Sequence, residues 1–298
     1  MSLPVTGLFL GFLWDPNRTR LWHLLMALQP ALWLASVLVV FNDFRGHRLD
    51  WPVRRSARTA VVLCTLLAWV MNSFPFVVQF ITQRWVLPVG VEALLQVSHV
   101  RARLLFLGML SAVVATMHTA GMLSVHVQLL AYLREPGARG EEPEAAGLDD
   151  EVLRYQRLRL RLARFLVFSA ITIGTAALSF GAFRNLLTEF APSLAPSLAG
   201  LIAPSSIMSY GIYYTGLLAC VYLPTRKTLT DVGEAIAARF VPLSPTAGTS
   251  WKDWSLEQEA VRTWLGLQST ALQDFQQGLA VLAPLLASLS SLALGAGA

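Results

Sequence analysis

The chain has 298 residues, of which 55% are hydrophobic and 14% are charged, and its formal net charge is +5. Because a soluble domain carries about 25% charged residues, this composition excludes an ordinary soluble protein and indicates an integral membrane protein. The positive charge does not point to nucleic acid, since basic residues are expected in the cytoplasmic loops of a membrane protein. Cys64 and Cys220 both fall inside apolar runs, which argues against a disulfide or a metal site.

Five stretches of the chain are long and apolar enough to cross a bilayer, which takes about 20 mostly apolar residues. None of them contains Asp, Glu, Lys or Arg. The predicted spans 1 to 5 cover residues 21–42, 59–83, 104–133, 165–183 and 204–225. The predicted fold class is therefore all-α, with a polytopic transmembrane domain over residues 1–225 and a helical tail over residues 226–298.

The basic residues outside the spans alternate between the two sides of the membrane. Seventeen lie in the connection between spans 1 and 2, the connection between spans 3 and 4, and the tail, whereas six lie on the other side. Lys and Arg concentrate in cytoplasmic loops. This asymmetry predicts a multi-pass protein of the plasma or inner membrane, with the N-terminus outside and residue 226 onward in the cytoplasm.

Spans 2 and 3 carry polar residues in their apolar runs. In span 2, Pro75 follows a polar dipeptide, frees the carbonyl of Met71 and predicts a kink. In span 3, a histidine is a functional candidate because an ionisable residue inside a membrane is rarely there without a reason. His118 and His126 point about 80° apart on a helix, so neither a haem nor a metal site is predicted. One face of span 3 presents Thr116, Thr119 and His126.

The connection between spans 3 and 4, residues 134–160, starts as an acidic, Pro- and Gly-rich segment that is typical of a flexible linker. A basic helix follows and is expected to meet anionic lipid of the inner leaflet, where each Arg is stabilised by about 1 kcal/mol. The predicted lipid contacts are Arg154, Arg157, Arg159, Arg161 and Arg164.

Span 4 carries a stripe of small residues, and span 5 carries a stripe of hydroxyl groups. Small residues let another helix approach closely, so the first stripe predicts helix packing. Hydroxyl groups in lipid need partners, so the second predicts either a hydrated pathway or hydrogen bonds between helices. The small stripe is Ala170, Gly174, Ala177 and Gly181. The hydroxyl stripe is Ser206, Ser209, Tyr210 and Tyr213.

The tail shows a heptad pattern that continues from Trp254 to Ala293 in steps of four and three. Such a seam predicts helices that pack side by side, here in a homo-oligomer. The predicted oligomerisation residues are Leu265, Gln268, Leu272, Phe275, Leu279 and Leu282. Residues 278–298 are uncharged and long enough to cross the membrane, so a sixth span and an interfacial anchor stay open beside an oligomerising or bundle-packed cytoplasmic helix.

The function predicted from these features is that of a homo-oligomeric ion channel or pore, lined by the polar residues of spans 3 and 5. No catalytic, phosphate-binding or dinucleotide-binding motif occurs in the sequence, so neither an enzyme nor a cofactor is expected. One alternative is a membrane scaffold or signalling protein whose tail binds a cytoplasmic partner. Another is a protein that handles a lipid or small molecule in a cavity between spans 3 and 5.

Overall fold

The computed structural model describes residues 16–46, 55–82, 100–134, 145–194, 204–241, 250–268 and 271–296. These residues form seven α-helices and no strand, which confirms the all-helical class. The helices are α1 Pro16–Gly46, α2 Arg55–Thr82, α3 Val100–Arg134, α4 Ala145–Leu194, α5 Ser205–Phe240, α6 Trp251–Leu265 and α7 Ala271–Ala296. All except α6 are long and apolar enough to cross a membrane, so the chain is a multi-pass helical membrane protein.

Helices α3, α4 and α5 are all longer than a bilayer core is thick, and α4 is the longest of them. Helix α4 has 50 residues, which corresponds to about 75 Å against a hydrocarbon core of about 30 Å. Its charged N-terminal part packs against the charged C-terminal part of α5, where the Arg239 guanidinium donates to Glu151. Tyr155 of α4 contacts Gly233 of α5 in the same region. The bundle therefore continues outside the membrane on the side predicted to be cytoplasmic.

Part of the predicted linker is helical. Residues 135–144 lie outside the described residues, but α4 begins at Ala145, which extends the basic helix back into the acidic segment. Val152 and Tyr155 are each 3% exposed, so this part of the helix is packed against the bundle. Packing thus orders residues that composition alone assigned to a linker.

The five arginines predicted to contact lipid all lie on the N-terminal part of α4. Arg154, Arg157 and Arg164 are exposed, whereas Arg159 and Arg161 are half-buried. Arg159 donates from Nη1 to the carbonyl of Leu265 at 3.2 Å. This arginine therefore holds the end of α6, which removes it from the set that faces outward.

The heptad seam predicted for the tail is not carried by one continuous helix. Helix α6 ends at Leu265, and Gly266 takes a left-handed conformation with φ of 68°. The Gly266 N–H donates to Thr263, and the Leu267 N–H donates to Arg262. Glycine is the usual residue at such a helix C-terminus because a Cβ is unfavourable there. The single seam from Trp254 to Ala293 was therefore wrong in its continuity.

The predicted oligomerisation residues consequently fall into separate environments. Leu265 is 0% exposed and packs within its own chain, and Gln268 lies beyond the end of α6. The side chain of Leu272 lies outside the described residues. Phe275, Leu279 and Leu282 of α7 are 63%, 40% and 42% exposed. Gln268 is exposed as well, so the three α7 residues form the apolar outward-facing part of the described set, toward lipid or a second copy.

Helix α7 packs lengthwise against α4 and α5. The predicted stripe on α4 forms part of this contact, since Gly181 lies against Ser291 and Gly174 against Ala283. On the other side, Thr215 of α5 accepts a hydrogen bond from the Leu285 N–H at 3.2 Å. Ala170 and Ala177 of the stripe are both buried. Since α7 lies beside the predicted spans 4 and 5, the structure favours a sixth span over the other two alternatives for this segment.

A crossing α7 predicts that its two ends label from opposite sides of the membrane. Gln273 and Ala293 are exposed ends of a 21-residue apolar segment, which places them about 30 Å apart. In a background with Cys64→Ser and Cys220→Ser, an impermeant maleimide should label Gln273→Cys from the same side as Lys227→Cys. It should label Ala293→Cys only from the other side. Labelling of both α7 positions from one side would contradict a crossing.

Candidate functional site

A cavity of about 420 Å³ lies within the bundle, lined by residues of α1, α2, α3, α4 and α5. It occupies the end of the bundle where α5 begins, which is the outer end in the predicted orientation. Most of its wall is apolar and a large part is aromatic. The aromatic residues of the wall are Trp33, Phe74, Phe76, Phe180, Phe183, Tyr210 and Tyr213. The polar residues of the wall are Gln29, Ser111, Ser179, Ser206 and Ser209.

The aromatic rings of the wall support one another. Tyr210 of α5 stacks on Phe180 of α4 with ring centroids 5.9 Å apart and meets the edge of Phe76 at 6.2 Å. Phe74 stacks on Tyr213 at 6.1 Å. Offset-stacked and edge-to-face pairs at these distances are favourable. The wall is therefore built of mutually packed rings from three helices.

Pro75 and two tyrosines join α2 to α5 at the cavity. Proline has no N–H, so it leaves the carbonyl of Met71 without its helical partner. The Tyr213 hydroxyl donates to this carbonyl at 2.6 Å, and the Tyr214 hydroxyl donates to the carbonyl of Asn72 at 2.7 Å. Of the two roles open for the hydroxyl stripe, Tyr213 therefore performs the hydrogen bond between helices while it also lines the cavity.

The threonines of the predicted pathway lie in the packed core rather than on the cavity wall. Thr116 and Thr119 are 6% and 0% exposed, and their hydroxyls donate to carbonyls of their own helix one turn earlier. The Asn72 Nδ2 is 3.4 Å from the Thr119 hydroxyl and 2.8 Å from the carbonyl of Ala68. These groups form a polar contact between α2 and α3.

His126 lies apart from these groups, nearer the charged end of the bundle. Its Nδ1 is 3.3 Å from the Thr228 hydroxyl of α5, and the direction of this hydrogen bond depends on the histidine tautomer. The seven predicted pathway residues thus divide between two regions. The cavity wall holds Ser206, Ser209, Tyr210 and Tyr213, and the rest of the bundle holds Thr116, Thr119 and His126.

Two polar residues of the cavity wall were not among the candidates predicted from the sequence. Trp33 is 4% exposed and Ser179 is 7% exposed. Neither the Trp33 Nε1 nor the Ser179 Oγ has a hydrogen-bond partner among the described residues. A buried polar atom without a partner is costly in a medium of low dielectric constant. Both atoms have almost no accessible surface, so they lie within the packed wall and do not face the open space of the cavity.

His118 is also buried without a hydrogen-bond partner among the described residues, since neither ring nitrogen has one. Its ring lies 5.7 Å from that of Phe168, outside the cavity wall. No group of three or more His, Cys, Asp or Glu that could hold a metal ion occurs in the part of the chain that is described. His118 therefore has no companions of that kind there.

A smaller cavity of about 150 Å³ lies between α3, α4 and α5 at the charged end of the bundle. Glu151 lines it and accepts from the Tyr132 hydroxyl at 3.0 Å and from Arg239. These bonds connect the three helices at the charged end of the bundle, where Tyr132 is next to the last residue of predicted span 3. We assign this region to the stability of the bundle, because its carboxylate is already engaged.

The larger cavity is partly open to the outside of the bundle and combines aromatic walls with a few polar residues. Pockets that bind small molecules have this composition, with volumes of about 300–1,000 Å³. The site therefore has the properties of a binding site for a lipophilic molecule. No protein-family model, curated protein or solved structure matches the chain.

Proposed function

We propose that this membrane protein binds a lipophilic small molecule or a lipid chain in the cavity lined by helices α1 to α5, without catalysing a reaction. The observation that carries the proposal is the cavity itself, with its volume of about 420 Å³, its wall contributed by five helices and its aromatic residues contributed by four of them. A helix bundle packed to ordinary density leaves few voids larger than a water molecule. A cleft of this size in the bundle therefore offers space for an occupant.

The setting in a bilayer determines how such a site selects its ligand. Lipid tails are as apolar as the cavity wall, so moving an apolar molecule from the bilayer into the cavity gains little hydrophobic free energy. Selectivity must come from shape and from hydrogen bonds. The packed rings of Phe180, Tyr210 and Phe76 supply a defined shape, and the polar residues of the wall supply the hydrogen bonds.

Filling the cavity should weaken binding. Ala176 lies on α4 in the cavity wall and is half-buried, so Ala176→Leu places a larger side chain where a ligand would lie. Overpacking costs about 1–3 kcal/mol, and we expect about a tenfold loss of affinity, which corresponds to about 1.4 kcal/mol. The measurement uses benzophenone, a neutral lipophilic photolabel, titrated onto the purified protein, with labelled peptides identified by mass spectrometry.

The matched control is Ala163→Leu, because Ala163 is exposed on the same helix. This variant should label like the wild-type protein. Equal labelling of all three proteins, or labelling that maps away from the cavity helices, would contradict the proposed function.

A homo-oligomeric ion channel is the second candidate, and the outward-facing Phe275, Leu279 and Leu282 of α7 favour it. Beyond the cavity, buried apolar side chains such as Met122 and Leu166 fill the bundle core, so a channel would run between copies of the chain. Ion flux from proteoliposomes separates the two candidates, because a cavity that lies at one end of the bundle and does not cross it conducts no ions.

A further inference from the structure

We propose that the outward face of α4 at the charged end of the bundle binds an anionic phospholipid. Arg157 and Arg164 bind its phosphate group. Val167 and Ile171 contact its acyl chain. This site is separate from the cavity, which lies at the opposite end of the bundle. Such a site is more specific than the general attraction of basic residues to a membrane, because one face of one helix contacts both parts of the lipid.

Six residues of α4 form one continuous face, because they follow one another in steps of four and three, the spacing that brings side chains to the same side of a helix. All six are exposed. In chain order they are Leu153, Arg157, Leu160, Arg164, Val167 and Ile171. The first four precede predicted span 4 and the last two lie within it. The face therefore runs from the charged extension of α4 into the span without a break.

The charge of this face favours a phosphate group. Helix α4 contains no Asp or Glu between Glu151 and Glu189, so a negative partner for the face comes from outside the helix. Guanidinium groups bind phosphate through paired, charge-assisted hydrogen bonds. An arginine has five N–H donors, so Arg157 can bind a phosphate while its Nε donates to the Leu153 carbonyl at 3.2 Å.

The apolar residues of the same face favour a lipid over a soluble phosphate. Leu160 lies between Arg157 and Arg164 and is 59% exposed, although it precedes predicted span 4. Within that span, Val167 and Ile171 are 48% and 39% exposed. A phospholipid presents a charged group at the membrane surface and an apolar chain below it, which is the order found on this face. The two arginines are about 10 Å apart along the helix, so a phosphate beside Leu160 is within reach of both.

A second copy of the chain does not suit this face. Copies inserted in the same orientation would pack α4 parallel to itself about a two-fold axis, so each residue of the face would lie near its own equivalent. Arg157 and Arg164 would then each meet a like charge, which is unfavourable. The charge of the face thus distinguishes a lipid from self-association.

Two lipids with the same acyl chains test this site on the purified full chain in a neutral detergent. Phosphatidylglycerol carries a single negative charge, and phosphatidylcholine carries no net charge. Native mass spectrometry counts the bound molecules of each as it is titrated. The wild-type protein should bind phosphatidylglycerol about 30-fold more tightly, which corresponds to about 1 kcal/mol for each of the two arginines. Equal affinity for the two lipids would overturn the proposal.

The double variant Arg157→Gln with Arg164→Gln should lose this preference, while its affinity for phosphatidylcholine stays unchanged. The matched control removes two exposed charges elsewhere, with Arg103→Gln on α3 and Lys252→Gln on α6. It has the same net charge as the test variant and should keep the wild-type preference. An equal loss in the two double variants would mean that net charge, and not this face, attracts the lipid, and the proposal would be wrong.

A measurement on the wild-type protein locates the lipid without relying on the folding of a variant. Phosphatidylglycerol with a photoactivatable diazirine in its acyl chain should label α4 around Val167 and Ile171. Labels on other spans with none on α4 would overturn the proposal. Displacement of the lipid by glycerol 3-phosphate would assign the arginines to a soluble phosphate and would overturn it as well. None of these outcomes affects the proposed function, because the cavity lies at the other end of the bundle.

Discussion

Gly181→Leu is expected to lower the free energy of unfolding by about 3 kcal/mol, the upper end of the usual cost of overpacking. A Cβ at this position would overlap the Ser291 side chain of α7. Ser291 is 2% exposed, so its side chain has little space to move. Its carbonyl also accepts a hydrogen bond from the Asn185 Nδ2 at 2.8 Å, which holds the backbone of α7 in place.

Titration of the purified protein with SDS in mixed micelles measures this change. The matched control is Gly216→Leu on α5, where a Cβ would meet no atom within 4 Å. That variant should unfold like the wild-type protein or slightly later, because glycine is less favourable than leucine inside a helix. If both variants lost the same stability, the close approach of α4 and α7 would not be what holds α7 to the bundle.

The same contact shows what could be predicted from the sequence and what could not. The spacing of Gly174 and Gly181 predicts that some helix approaches α4 closely. It does not identify that helix, because a stripe of small residues fits any partner. Residues 278–298 are rich in Ala, Ser and Gly, which makes α7 a weak candidate for a span on hydropathy. Packing of α7 against α4 and α5 compensates for this weak hydropathy. The contacts join residues about 70 to 110 positions apart in the chain.

The five predicted spans were easier to predict because each is a long run without charge. The helix end at Gly266 was also present in the sequence, as a glycine after an amphipathic segment. The heptad pattern ran through it unchanged, and periodicity alone does not reveal a break in a helix. Local backbone chemistry therefore decided the structure of the tail where the hydrophobic pattern was ambiguous.

The cavity was the least predictable feature. Hydroxyl residues of span 5 were expected to line a hydrated pathway or to form hydrogen bonds between helices, and four of them line the cavity. Trp33 and Ser179 could not be predicted as wall residues, because their surroundings depend on side chains from other helices. A cavity is a property of the assembled bundle, so no single segment of the sequence encodes it.

Tyr213→Phe is expected to lower the free energy of unfolding by about 1–2 kcal/mol, because it removes the donor to the Met71 carbonyl and leaves that acceptor without a partner in a membrane. The Tyr213 hydroxyl is 2.6 Å from this carbonyl, and Pro75 cannot supply the usual helical N–H. The sequence showed the free carbonyl, and the structure shows that a residue 142 positions away binds it.

Pro75→Ala makes this explanation testable, because alanine restores an N–H that can bond to the Met71 carbonyl. In the Pro75→Ala background, Tyr213→Phe should therefore cost about 1 kcal/mol less than in the wild-type background. The control pair uses Tyr132→Phe, whose hydroxyl donates to Glu151 far from Pro75, so its cost should be the same in both backgrounds. If the cost of Tyr213→Phe were also the same in both, Tyr213 would stabilise the bundle through ring packing, and the hydrogen bond to the freed carbonyl would contribute nothing measurable.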